Sequence, residues 1–538
     1  MADLSSLLGA QRAPDAARSH EVKPEDGSWK ASLYVGESYQ GEKPSTWDAD
    51  APRLAAPRVS LAVSTDLKQW NYRYMFEKKG ERSLELDNRL DDLAEVIRQS
   101  FGVAELEDPS IPSQESIYSV GRICARLDPN AKQESNAGPA RLSAADLMLE
   151  SSRMLGNGQR IPLALDPSCR VRYAWADDAV QSTNIVGLFP GMVVGVKGRN
   201  GSGSKFVAEE LLIPPALPHP ATSRAELVQH QYDENKLGGK PLRVVAASGP
   251  YTDAADLAFR PWHAFMSLIE AEQPDVLVLM GPFLSASHEK VATGDLDAMP
   301  TDIFRQHIGQ RLTRLLERAP GTMAILVPST EDVFHTHHAF PQPFLDKTNA
   351  ALGLPKRVRC LPNPSVFYIN ELAIGVSTAD VLGDLRREEL VQRVQADEKA
   401  PSSADARDPM MRLARHVLGQ RSFYPIFPPS SASMLPLDLS HSRLCGLDQV
   451  TPDLLLLPSA RVKPFLRVVD STMVVNPGAL ASPAPAGTPK AAGNLPSFVR
   501  MQVDAMPRDT LFQGEEASQE LITHELYSRA RIDLVHTS

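Results

Sequence analysis

The sequence predicts an α+β protein of several domains, in which a small β-rich barrel or sandwich precedes a larger α/β domain. Three observations carry this. The chain has 538 residues, 42% of them apolar, a length that holds roughly two to four domains with cores of their own. Between about Ser116 and Pro218, short β-rich runs are broken by Gly and Asn. From about Pro241, near-continuous apolar runs alternate with an amphipathic helix, the pattern of an α/β sheet covered on both faces.

Taken in order, residues 1–70 are rich in Ala, Pro, Ser and charge without a sustained period, and are expected to be disordered. The opening run MADLSSLLGAQRAPDAARS lacks a basic segment followed by an apolar core, so it is not read as a secretory signal. Residues 71–103 form a helical connector. Leu86, Leu90, Leu93 and Ile97 recur at spacings of four, three and four, one apolar stripe on a helix of about 83–101, with Gly102 as its stop. Residues 104–235 hold the barrel, with "IYSVGRICARL" and "MVVGVKGRNGSGSKFVAEELLI" as strands and "GRNGSGSK" as a hairpin turn. The Asn-Gly-Ser at Asn200 is read as part of that turn. Residues 236–538 hold the α/β domain. "LRVVAAS", "DVLVLMGP" (Asp275–Pro282) and "MAILVPS" (Met323–Ser329) are buried strands, and Phe304, Ile308, Leu312, Leu315 and Leu316 mark a helix between the last two. Later strands are Asp453–Ser459, Ser471–Gly478, Ser497–Met506 and Arg529–Val535. The charged, Ser-rich stretch at about 394–408 and the Ala/Pro/Gly stretch at about 480–495 are expected to be mobile loops.

Composition excludes several function classes. A net charge of −10 provides no global basic field for nucleic acid. No apolar run reaches the length of a membrane span. Cys124, Cys169, Cys360 and Cys445 never fall at CxxC spacing, so neither a zinc ribbon nor a disulfide framework is indicated, and the chain reads as intracellular and reduced. Between Gln114 and Pro218 there are eleven Lys/Arg and ten Asp/Glu, with Tyr118, Tyr173, Trp175, Phe189 and Phe206 the only aromatics. That balance implies weak or no direct nucleic-acid binding.

In open α/β sheets, chemistry sits just beyond the carboxyl ends of the strands. Four such ends read Ser248-Gly249-Pro250-Tyr251, Gly281-Pro282-Phe283, Pro328-Ser329-Thr330-Glu331 and Pro458-Ser459-Ala460. A two-metal hydrolase needs several Asp, His and Asn side chains there. Glu331 is the one carboxylate, so no catalytic, cofactor-binding or metal-binding residue is assigned. His335, His337 and His338 follow several residues later in "PSTEDVFHTHHAF" and are read as a hydrogen-bonded loop rather than metal ligands. Asp438 and His441 read as a turn, and Gly294-Asp295 follows no buried strand. In "RSFYPIFPP", Phe423, Tyr424 and Phe427 are either an exposed partner-binding surface or a stiff segment packed on the core. Thr451, Ser482 and Thr488 precede Pro, a dipeptide too common to assign phosphorylation.

The order of these strand ends is that of calcineurin-like metallophosphoesterases, which carry Asp-x-His, Gly-Asp, Gly-Asn-His and Gly-His-x-His in such loops. None of those motifs occurs here. Instead "ASGPYT", "DVLVLMGPFLSASHE", "LVPSTEDVFH", "QRSFYPIFPP", "LLPSARVKPF" and "VVNPG", in this order, resemble the B subunit family of DNA polymerase alpha, from about Tyr72 ("YRYMF") to the C-terminus. The resemblance implies an OB-fold β-barrel at 104–235 followed by a calcineurin-like phosphoesterase α/β sandwich at 236–538 that is catalytically inactivated. Ser248, Gly249, Tyr251, Gly281, Pro282, Ser329, Glu331 and Ser459 would stand at former active-site positions. It implies no cofactor. It also implies a nuclear scaffold that holds the C-terminal zinc-binding domain of the polymerase alpha catalytic subunit, reaches primase through the complex and serves primer synthesis at replication initiation. The family often begins with a small helical module, for which residues 1–70 show no periodicity. Two rival readings are a B subunit of polymerase delta or epsilon and an active metallophosphoesterase or nuclease.

Overall fold

The computed structural model describes residues 20–21, 32–41, 47, 54–64, 66–126, 141–174, 180–183, 185–394, 408–431, 433–447, 449–482, 495–512 and 520–537. The stretches expected to be mobile at 394–408 and 480–495 lie mostly outside the described residues.

The α/β domain is built on three parallel strands, Leu242–Ser248, Val276–Met280 and Met323–Val327, with the second in the middle. Their residues are apolar on both faces because both faces are covered. Val245, Ala247, Leu277, Leu279 and Leu326 point to the helices Arg260–Glu272 and Gln310–Arg318. Val244, Ala246, Val278, Met280 and Ile325 point the other way, into a second sheet. That sheet runs Phe465–Val469, Thr472–Asn476, Leu454–Leu456, Leu372–Val376, Ser365–Ile369 and Leu61–Val63. Its far face carries the helices Val381–Glu388 and Pro409–Gly419. The result is four layers, helix–sheet–sheet–helix. The hairpin Ser365–Ile369/Leu372–Val376, turned by Asn370 at φ +55°, supplies two strands that the sequence reading leaves unassigned.

The expectation of disorder across residues 1–70 is corrected for the described part. Ser32–Gln40 pairs antiparallel with Ala530–Thr537, and that strand pairs with Ser497–Val503, extending the first sheet. Leu61–Val63 pairs with Ser365–Ile369 at the edge of the second. Leu33, Val59 and Trp70 are buried. Arg58 spans the buried Asp275 carboxylate with two bonds of 2.6 and 2.9 Å and donates to Pro241 O at 2.7 Å. The physical reason is that a strand is recognised by its partner, and these partners lie far off in sequence, 495 residues for Ser38 and Asp533 and 310 for Ser60 and Asn370.

The helix Glu81–Ser100 buries Leu90, Leu93, Ala94 and Ile97 against Val120, Val193 and Leu212 of the β-rich domain. There, Phe206–Ile213, Val193–Asn200, Ser113–Ala125, Leu147–Glu150 and Arg160–Ala174 form a ring of five strands. Parallel pairing of Phe206–Ile213 with Arg160–Ala174 closes the ring. Asn200 is fully buried, its amide donating to Pro109 O at 3.0 Å, so the sequon ends a strand inside the protein. Thr451 is likewise buried, with Oγ1 donating to Leu217 O. No helix of the described residues is long and apolar enough to cross a membrane.

Replacing Arg58 with Ala leaves Asp275 buried with only the Arg243 N–H at 2.8 Å. The expected loss is about 3 kcal/mol, read as a lowered urea midpoint at unchanged slope. An unchanged midpoint would show that the N-terminal strands are not anchored as described.

Candidate functional site

The carboxyl ends of the strands meet on one face, and what gathers there is backbone. Ser248 is buried, with Oγ near Gly249 O (3.5 Å) and Gly281 O (3.4 Å). Gly249 and Gly281 are required by crowding. A Cβ at Gly249 would lie 1.9 Å from Pro282 O, and one at Gly281 would lie 2.6 Å from Asp332 Oδ2. Tyr251 is fully buried and donates to Met280 O at 2.9 Å, and burial pushes its phenol well above the usual range. It is a strut beneath the face, stacked on Phe283.

The acidic pair Glu331-Asp332 divides in an order the sequence reading did not anticipate. Glu331 is exposed, and its carboxylate accepts from Ser285 Oγ at 3.0 Å. Asp332 is fully buried and accepts from Phe283 N (2.5 Å), Leu284 N (3.1 Å) and Ser329 N (2.8 Å). It thus ties the loop after one parallel strand to the loop after the next. Burial pushes its carboxyl up to about 7, against the three N–H donors that favour the charged form.

The remaining polar groups are engaged in the same way. Asn476 Oδ1 accepts from Ser459 N and Gly478 N, both at 3.0 Å, and its amide donates to Val462 O and Lys463 O at 3.1 and 3.2 Å. Ser459 Oγ accepts from Arg461 N and Val462 N. Asn363 and Thr378 exchange bonds of 2.6 and 3.0 Å. Gln342 donates to Ser329 O and His337 O. Such side chains clamp loops, and among the described residues no three His, Cys, Asp or Glu converge where a cation could be held.

The histidines are part of the packing. His335 Nδ1 accepts from His337 N at 3.0 Å, and burial lowers its imidazole. His337 lies edge-on to Tyr72 and Tyr74, with centroids 4.9 and 4.6 Å away. Burial and neighbouring His335 hold it down to about 4. Tyr72 stacks on His441 at 3.7 Å. His338 is exposed.

Of the "RSFYPIFPP" residues, Phe423 and Tyr424 are 1% and 5% exposed. Partner contact through these two rings is corrected to core packing, because Phe423 lies in the same apolar cluster as the barrel and Tyr424 OH donates to buried Asp384 at 2.7 Å. Phe427 is half-buried under Arg122, and its N–H donates to Pro190 O of the barrel at 3.0 Å. The segment therefore lies in the seam between the domains. Just before it, buried Gln420 donates to Val193 O (2.8 Å) and accepts from Val193 N (2.9 Å). Arg421 donates to Pro215 O. Leu390–Arg393 pairs with Ile185–Leu188, a short strand of the β-rich domain outside the barrel ring, as a separate two-stranded sheet. Beneath this pairing Glu389 takes both bonds from Arg412 (2.7 and 2.9 Å) and one from His416 (2.8 Å). Burial alone would raise this carboxyl, but the His416 and Arg412 bonds outweigh it and hold it near 2.

The fold and this face define a two-domain protein, a five-stranded barrel fixed to a double-sheet domain whose strand-end polar groups bind the protein's own loops. The family of OB domains from the B subunit of DNA polymerase alpha matches residues 83–213, and the family of DNA polymerase alpha/epsilon B subunits matches residues 244–467. The B subunit of DNA polymerase alpha from Schizosaccharomyces pombe is 31% identical over 488 residues, covering 89% of this chain and 75% of that one. Those of Saccharomyces cerevisiae (29%; 89% and 67%) and Bos taurus (30%; 74% and 57%) are also similar. The chain belongs to the B subunit family of DNA polymerase alpha, and its barrel is an OB domain.

Two outcomes test the site. Asp332→Ala orphans three buried N–H groups and should cost about 3 kcal/mol or more, whereas exposed Glu331→Ala should change stability by less than about 0.5 kcal/mol. Equal effects would refute the division of roles. His337 has a folded pKa depressed from 6.5 to about 4, so its contribution is full above pH 6.5 and is lost as pH falls toward 4. His337→Gln should therefore flatten the acid side of a melting-temperature-against-pH curve relative to the parent. An unchanged slope would show that His337 stays solvated.

Proposed function

We propose that this chain is a non-catalytic accessory subunit that holds the C-terminal zinc-binding domain of the DNA polymerase alpha catalytic subunit, and through that complex supports primase in primer synthesis in the nucleus. The double-sheet domain is read as a calcineurin-like phosphoesterase fold whose catalytic face has been given over to structure. Ser248, Gly249, Tyr251, Gly281, Pro282, Ser329, Glu331 and Ser459 stand where such an enzyme would place its metal-binding loops. The observation that carries this reading is the complete engagement of Asp332 and Asn476 by backbone groups of the protein itself. A buried carboxylate whose two oxygens already accept three backbone N–H bonds is poorly placed to bridge two cations. Membership of the alpha family favours the alpha catalytic subunit over the delta or epsilon partner.

A scaffold needs a rigid surface broader than either domain, and the seam through Gln420 and Glu389 provides one. Permanent assemblies bury well over ~1,600 Å². Gel filtration of the full chain mixed with the catalytic subunit's C-terminal domain should give a one-to-one complex, and Gln420→Ala, which loosens the seam, should weaken it about tenfold. The purified chain should carry no stoichiometric zinc, manganese or iron and hydrolyse no phosphodiester. Separate elution at micromolar concentration, preference for the delta or epsilon partner, or metal-dependent hydrolysis would overturn the reading.

A further inference from the structure

The segment after buried Trp70 runs as a strap over the 336–341 loop at the edge of the strand-end face. Tyr72 and Tyr74 turn inward, Tyr72 OH donating to Pro341 O and Tyr74 OH to Thr336 O at 3.5 Å. Arg73 turns outward. The alternation then breaks at Met75, which takes φ +59°, a conformation that side chains other than Gly rarely adopt. As a result Met75 and Phe76 both face outward, 86% and 73% exposed. On the neighbouring segment Met434 repeats the feature, with φ +48° and 82% exposure. It lies two residues before Pro436, whose carbonyl accepts from Phe340 N beneath the strap. Unfavourable backbone that displays large apolar side chains points to a use for the display.

The charge of the strap segment itself is opposite to that of the whole chain. Residues 72–82 carry four cations, Arg73, Lys78, Lys79 and Arg82, against two carboxylates, in a protein of net charge −10. Both carboxylates have local partners. Glu77 is bound to Arg82, and Glu81 accepts from Lys78 N at 2.8 Å. Lys78 and Lys79 are exposed and have no ion pair among the described residues. Arg73 lies over the Phe76 ring at 4.8 Å, which presents ring and cation together. Asp438, the nearby acid that acts on Arg82, is committed to Ser440.

We infer that the strap around Met75 and Phe76 is a docking site for an acidic, apolar-anchored peptide segment of a partner protein. Flexible Met and an aromatic ring would receive its apolar side chains. Lys78, Lys79 and Arg73 would meet its carboxylates and favour it over neutral or basic segments. The proposal goes beyond the catalytic-subunit reading, and it is testable without that subunit.

The full chain is screened against a displayed random-peptide library, and enriched peptides are synthesised with a fluorescent label. Enrichment should favour Leu, Phe or Trp flanked by Asp and Glu. Met75→Ser/Phe76→Ser and Lys78→Glu/Lys79→Glu should each weaken binding about tenfold or more. Met154→Ser, an exposed Met elsewhere on the barrel, should leave it unchanged. Melting temperatures of these surface variants should match the parent. No enrichment, enrichment of basic peptides, or equal binding by all variants would overturn the proposal. So would self-association abolished by Met75→Ser/Phe76→Ser, which assigns the patch to a second copy. Labelled oligothymidylate whose binding is lost in Lys78→Glu/Lys79→Glu, without peptide binding, would assign it to nucleic acid and also overturn the proposal.

Discussion

The side-chain amide of Gln420 holds both backbone groups of Val193, and much else in the molecule depends on that pairing. The residue is 1% exposed, so removing it leaves a buried N–H and a buried C=O unsatisfied, at about 1–3 kcal/mol each. Its own carbonyl accepts from Arg89 of the connector helix at 2.8 Å. One residue therefore joins the connector helix, the OB domain and the double-sheet domain. Around it the domains approach too closely for ordinary side chains. A Cβ at Gly187 would lie 1.9 Å from Glu389 Oε1, and one at Gly191, which sits at φ +95°, would lie 2.3 Å from Phe427 N. Apolar packing continues across the seam, with Leu188, Phe189 and Met192 in one cluster with Leu382, Leu385, Val417 and Phe423.

The strand-end face follows the same logic. Loops at the carboxyl ends of parallel strands expose unpaired backbone groups, which must be satisfied by water, ligand or side chains. Here Asp332, Gln342, Asn363 and Asn476 satisfy them, and each ties a loop to its neighbour. Carboxamides and a buried carboxylate used in this way stiffen the face. The strap of Tyr72 and Tyr74 over His337 and His441 closes its edge. At the seam and at the face alike, buried side-chain hydrogen bonds fix backbone segments to one another.

Much of this was legible in the sequence where the signal is local. The three parallel strands, the Leu90–Ile97 stripe and the barrel hairpin all stand where periodicity put them. Even so, the helix marked by Phe304 and Leu312 contains a π-helical turn at Arg305–Gly309 that a regular period cannot show. The N-terminal strands were not legible, since "SLYVGESYQ" is a half-exposed strand that pairs with the last strand of the chain. Nor was the choice between Glu331 and Asp332, adjacent acids of which one turn of loop buries the second. Phe423 and Tyr424 read equally as surface or core, because an aromatic, Pro-rich run looks the same in a seam as on an interface. Gln420 heads the motif "QRSFYPIFPP", but its role was not legible, since it is set by a backbone 227 residues away.

The Gln420–Val193 seam joins the OB domain to the double-sheet domain, and native-state hydrogen exchange tests directly whether the two lean on it together. Gln420→Ala is expected to lower amide protection together in the barrel strand Val193–Asn200 and in the helix Pro409–Gly419, since both lean on the same seam. Loss confined to one of the two elements, or protection unchanged in both, would contradict it.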